Sequence, residues 1–292
     1  MSGMSAVFWK ELGDYCSSRR FVILLALIYL PGVLAIYSVA SFIRSEVSET
    51  SFVFLLLFTS SGGFMPPFDS FSTFLALFIP IIGIALGFDA INSERSSGTL
   101  TRVLSQPIYR DSVVNGKFLA GLFTIATLLT SLVLLVAGVG LRMIGVPPTL
   151  EEISRLVVFL LVTILYAGFW LSLAILFSLL FTRPATSALA SIAIWLFFFF
   201  ALLMSVGAQE EIIRLILGFS PVTLYLASVA GLLVPSLTAI MAQGTGSMLP
   251  NPLSFSQSFL MVWPQIVIIL VLTIVCFAAA YIKFMREEIR AT

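Results

Sequence analysis

Residues 88–118 read FDAINSERSSGTLTRVLSQPIYRDSVVNGKF. Two long apolar runs flank this polar stretch, and the 292-residue chain around it is 60% hydrophobic and only 10% charged. Its mean hydropathy is +1.12. Soluble domains carry roughly a quarter charged residues, and a soluble chain of this makeup would expose more apolar surface than water tolerates. The expected class is therefore an all-α, polytopic membrane protein. The question is why so much Ser, Arg, Asp, Gly and Pro stands between two membrane crossings.

A crossing helix needs about 20 apolar residues. Working outward, six runs qualify: 21–41, 71–91, 116–141, 154–181, 185–206 and 264–284. The third and fourth are long enough for tilt or emergence into water. Lys and Arg concentrate on the cytoplasmic side of membranes. With the N-terminus inside, eleven of the fifteen fall on that side, and Arg44, Arg142, Arg155 and Arg214 fall outside. Both termini and the 92–115 loop are then cytoplasmic. Residues 222–242 are apolar enough to cross, but Pro235 interrupts them. A crossing there would also place Lys283, Arg286 and Arg290 outside. Residues 207–263 are thus expected as one extracytoplasmic loop with interfacial or re-entrant helices. Another external loop, 42–70, carries SFVFLLLF, too short to span. It either caps the outer mouth of a pore or dips into the interface.

The N-terminal segment, 5–19, reads as an amphipathic helix on the cytoplasmic face. Phe8, Trp9, Leu12, Tyr15 and Cys16 share one side, and Lys10, Glu11, Asp14, Ser17 and Ser18 the other. It serves as a membrane anchor or as a docking surface. A cleavable leader is not expected, because the first 20 residues are polar and the first apolar run is long enough to remain as a span.

Several chemistries are excluded. The chain has no histidine, which removes His-based zinc sites, Ser-His and Cys-His nucleophiles and His proton relays. Gly116-Lys117 is followed by Phe118, without the glycine that opens a phosphate-binding loop. Cys16 and Cys276 imply no disulfide framework. A net charge of +1 without a basic patch gives no nucleic-acid signal. Ion-coupled transporters need ionisable groups within the bilayer, and here Asp89, at the cytoplasmic end of the second run, is the exception. Glu151-Glu152 with Arg155, and Glu210-Glu211 with Arg214, read as helix starts whose acids suit the helix dipole. No catalytic residue, metal site or cofactor site is expected in this chain.

Within the opening stretch, Asn92 to Gly98 is a turn-rich link. Thr99 can cap a short helix over 99–106 that Pro107 stops. Leu100, Val103 and Leu104 share one of its faces. Such a helix, held between two spans, either transmits a push from a soluble partner or is an ordinary loop with positive-inside charges. Gly83 and Gly87, four apart on the second run, either allow close helix packing or line a pore.

Asp89-Ala90-Ile91, Glu94-Arg95, Gly98-Thr99-Leu100, Leu104-Ser105, Pro107, Arg110 and Gly116-Lys117 resemble the signature of type-2 ABC exporter permeases, the ABC-2 family. Trp9-Lys10-Glu11-Leu12 looks like that family's interface helix. The six runs and Ser220-Pro221 with Tyr225 also agree. A stand-alone permease of this length resembles the NosY-like branch, associated with copper-enzyme maturation in nitrous oxide reduction. The resemblance implies that Asp89, Glu94, Arg95, Gly98, Thr99, Leu100, Pro107, Arg110 and Lys117 form a cytoplasmic coupling element that contacts an ATPase subunit. It implies two permease copies, separate ABC ATPase subunits that hold ATP and Mg, surrounding lipids, an optional extracytoplasmic partner and the cell (plasma or inner) membrane. The expected function is export, driven from outside the chain, of a lipid-like or amphiphilic substrate. The alternatives are a mechanotransmitting permease that drives an external partner and a non-transporting scaffold or assembly factor.

Overall fold

The computed structural model describes residues 3–46, 52–59, 70–99, 109–204, 218–234 and 253–286. Leu100, Pro107 and most of the expected 99–106 helix lie outside the described residues, as do Glu210-Glu211, Arg214 and Arg290.

Among the described residues there are ten helices and no strand. In chain order they are α1 (Gly3–Ser17), α2 (Arg19–Glu46), α3 (Val53–Thr59), α4 (Phe71–Gly87), α5 (Asn92–Ser96), α6 (Arg110–Ile144), α7 (Leu150–Leu180), α8 (Pro184–Met204), α9 (Pro221–Leu233) and α10 (Phe255–Arg286). The boundaries have local causes. Ser70 accepts the Thr73 N–H at the start of α4. Gly145, at φ 79°, closes α6 in the left-handed conformation that glycine adopts without a Cβ penalty. Thr149 and Glu152 form a reciprocal capping box at the start of α7.

Among the described residues, five helical stretches are long and apolar enough to cross a membrane: Phe71–Ser96, α6, α7, α8 and α10. At about 1.5 Å per residue, the 35 residues of α6 exceed the ~30 Å hydrocarbon core, so its ends reach water. The expected run 21–41 lies within α2, a single helix of 28 residues.

Helix α7 is the centre of the bundle, packed against α4, α6, α8, α9 and α10. A Cβ at Gly83 would stand 2.9 Å from Trp170 Cβ, and one at Gly87 would stand 2.7 Å from Ala174 Cβ. Both glycines are therefore packing positions, where α4 lies directly on α7.

Two segments differ from the sequence expectation. Within the SFVFLLLF run α3 begins at Val53, and its Phe54, Leu55, Leu57 and Phe58 are buried in the core. The last helix starts at Phe255, well before 264, and carries Pro264 inside it. Proline is tolerated there because membrane helices re-satisfy the freed backbone groups locally. Residues 255–263 of the expected external loop thus belong to the last long helix. Helix α9, within the segment expected to hold interfacial or re-entrant helices, has 13 residues, about 20 Å at helical rise. It ends at Val234, where the following proline disfavours helical backbone. Tyr225 fixes α9 to α7, stacked on Tyr166 at 4.4 Å, with its hydroxyl 3.2 Å from Thr163 Oγ1.

Candidate functional site

Three elements converge at one end of the bundle: α1, the α4–α5 turn and the first turns of α6. Gly116 makes the contact possible, since a Cβ there would lie 2.9 Å from Val7 Cγ1. Helix α1 docks on α6 through Val7 and Glu11, which are buried, while Trp9 stays 61% exposed. The wheel assigned Glu11 to the polar side. The structure turns it inward, because a buried cation waits there.

That cation is Lys117, 3% exposed on α6. Its Nζ donates to Glu11 Oε1 at 2.8 Å and to Glu94 Oε1 at 3.0 Å. Lys10 Nζ reaches the same two oxygens, at 2.9 and 3.1 Å. Two lysines and two glutamates thus alternate in a closed, neutral ring that joins α1, α5 and α6. Asp14 lies 3.6 Å from Lys10 Nζ. Burial pushes the Glu11 carboxyl up, but Lys117 and Lys10 outweigh it and hold the group below its ordinary range. Burial pulls the Lys10 ammonium down, and its bonds to Glu11 and Glu94 more than reverse that. The Tyr15 phenol is pushed up by burial first and by the neighbouring carboxylates second.

Two further ties hold the same assembly. Tyr15 OH donates to the Leu86 carbonyl at 3.1 Å. Arg20, at the start of α2, pairs with Asp89. Behind them, Ser178 Oγ on α7 accepts the N–H groups of Ile91 and Asn92, at 2.9 and 3.1 Å, and so fixes the break between α4 and α5. Gly98, just past α5, takes φ 70°. Thr99 Oγ1 donates back to the Glu94 carbonyl at 3.3 Å.

Of the expected site residues, Lys10, Glu11, Asp89, Glu94, Thr99 and Lys117 border one open cavity of about 430 Å³. Glu94 faces inward to this ring rather than outward, and one of its oxygens is buried without a hydrogen bond. Trp9 and Leu12 do not border the cavity. Arg95 is half-buried and Gly98 exposed, while Arg110 is exposed in the first turn of α6. Sequence reasoning missed Tyr15, Arg20 and Ser178 as fixing residues. A tyrosine on the apolar side of α1 and an arginine beside the first run were visible. Nothing distinguishes Ser178 from other span serines. Among the described residues, no group of three His, Cys, Asp or Glu side chains is placed to hold a metal ion.

A second polar knot lies at the opposite end of the bundle, on the first two turns of α7. Arg155 is fully buried. It donates to Glu151 Oε1 at 2.8 Å, to the Leu232 carbonyl at 2.8 Å, to the Leu253 carbonyl at 2.7 Å and to Ser258 Oγ at 3.1 Å. Glu152 caps its own helix and accepts the Phe54 N–H of α3 at 3.0 Å. The Glu151-Glu152 pair is therefore a helix start, as expected. Arg155 in addition ties α7 to the end of α9 and the start of α10.

A family model described as ABC-2 family transporter protein matches residues 5–289. Among curated proteins, the chain is similar to "Probable ABC transporter permease protein NosY" of Pseudomonas aeruginosa, at 27% identity over 197 residues. That match covers 65% of this chain and 64% of the relative, so the chain spans just under two thirds of that protein's length.

Proposed function

This chain belongs to the ABC-2 family of transporter proteins, and from that premise we propose that it is the permease subunit of an ABC exporter, driven by separate ATPase subunits. Two copies form the membrane channel, in the cell membrane, with both termini cytoplasmic. Helix α2 adds a sixth span to the five apolar stretches, and α1 lies along the cytoplasmic interface. ATP and Mg reside on the ATPase partner. The cargo is lipid-like or amphiphilic, in keeping with the apolar spans.

The observation that carries the proposal is the shared ring of Lys10, Glu11, Glu94 and Lys117. It joins the segment bearing the family signature to α1 and to the base of α6. A partner pressing on residues 95–110 would thus move α1, α4 and α6 together rather than deform a loop. Glu94 acts inside this device. Arg95, Gly98, Leu100, Pro107 and Arg110 belong to the partner-facing part.

The test is purification of the tagged chain from native membranes, followed by an ATPase assay of what accompanies it. An ATP-binding subunit is expected in equal amount with wild type and to be released by Arg95→Ala/Leu100→Asp. Lys117→Met is expected to retain that subunit but uncouple its ATPase activity from transport. Absence of any ATPase from the wild-type preparation would overturn the reading in favour of a scaffold.

A further inference from the structure

At the end of the bundle that carries the Arg155 knot, α6 and α7 part to leave an apolar groove of about 390 Å³. Leu134, Gly138 and Leu141 form one wall, Ile153 and Val157 the other, and Phe54 of α3 the floor. Leu134 is 66% exposed. A Cβ at Gly138 would find no heavy atom within 4 Å, so the glycine leaves an opening rather than a contact.

We propose that this groove holds one acyl chain of a bilayer phospholipid, whose phosphate is met by Arg142. Both walls belong to helices that are long and apolar enough to span, which places the groove at hydrocarbon depth. Its lining is apolar apart from Thr130, and water in such a space lacks the two or more polar partners it needs. Thr130 marks the inner end and Leu141 the outer end on α6. The eleven steps between them cover about 16 Å at helical rise, close to one leaflet's half of the ~30 Å hydrocarbon core. The groove therefore has the length of one chain in one leaflet.

The rim has the matching charge. Leu141 and Pro148 close the groove where α6 ends at Gly145 and α7 begins after Thr149. Arg142 follows Leu141, is exposed, and stands about 40° round the helix from Gly138. A guanidinium presents a planar fork that suits a phosphate. Chain and headgroup are thus met by adjoining parts of one helix face.

Native mass spectrometry of the full-length protein, released from mild detergent in the presence of phosphatidylglycerol and phosphatidylcholine, tests this. Wild type is expected to retain one phospholipid per chain, with phosphatidylglycerol preferred. Gly138→Phe, whose ring would enter the groove, is expected to lose that lipid at unchanged thermal stability. Val157→Phe fills the groove from the opposite wall and should give the same loss. Arg142→Gln is expected to retain a lipid but to lose about tenfold of the phosphatidylglycerol preference. Unchanged lipid retention by both groove-filling variants would overturn the proposal. So would disulfide-linked dimers of a Leu134→Cys variant in native membranes, which would show that a second copy covers the groove.

Discussion

Glu11 and Lys117 stand 106 positions apart and meet at 2.8 Å, both nearly out of reach of water. Their bond makes α1 part of the bundle rather than a float on its surface. Removing one partner of a buried pair costs about 3–5 kcal/mol, because the other charge stays buried and uncompensated. Lys117→Met should therefore lower the thermal stability of the purified protein strongly. The triple change Glu11→Gln/Glu94→Gln/Lys117→Met should recover most of that loss, as read by melting in detergent. Equal melting of the single and triple variants would contradict a closed ring.

Acid should undock α1. Glu11 has a folded-state pKa held below its ordinary value, so its contribution is fully present above the unfolded carboxylate range near pH 4.3. That contribution fades as pH falls through the lower folded value. Lys10, Lys117 and Glu94 surround the group. Spin labels on α1 and α6 should separate only at pH values below the ordinary glutamate range. Glu11→Gln should remove that acid transition.

Two glycine contacts should respond differently to substitution. Gly116→Ala places a Cβ 2.9 Å from Val7 Cγ1, 3.0 Å from Val7 Cβ and 3.3 Å from the Met4 carbonyl, and Val7→Ala should relieve it only in part, by removing the first of these contacts. Gly87→Ala meets Ala174 Cβ at 2.7 Å and the Leu171 carbonyl at 2.9 Å. Backbone cannot step aside, so no single partner change should restore it. Overpacking of this kind costs about 1–3 kcal/mol, measurable by melting.

Arg155→Lys should be almost as damaging as Arg155→Met. The guanidinium satisfies two backbone carbonyls, a hydroxyl and a carboxylate at once, and a lysine lacks the planar fork to do so. Each buried carbonyl left without a partner costs about 1–3 kcal/mol. Protease sensitivity of the α9–α10 segment should rise in both variants. A wild-type cleavage pattern in Arg155→Lys would show that one ammonium suffices.

Much of this architecture was legible. The apolar runs at 71–91, 116–141, 154–181 and 185–206 lie on α4, α6, α7 and α8 within a few residues, because hydrophobic length is a property of contiguous sequence. Thr149 with Glu152 announced the start of α7 in the same local way. The start of α10 was not legible. Pro264 looks like a boundary in sequence, yet in the fold it sits inside a helix whose first turn is capped by Gln257 accepting the Ser254 N–H at 3.2 Å. Nor was the burial of α3 legible, since seven apolar residues look alike in a loop, an interface or a core.

The sequence by itself determined the membrane class, the positions of the long apolar helices and the polar stretch that links two of them. Composition and periodicity act along the chain, so they need no knowledge of neighbours. Only the tertiary structure decided that Glu11 and Glu94 share Lys117, that Gly83 and Gly87 seat α4 on α7, and that Arg155 holds the ends of α9 and α10. A charged residue on a helical wheel looks the same whether it faces water or a partner on another helix. What distinguishes the two is the cost of burying that charge, and that cost is set by the partner brought near it in space.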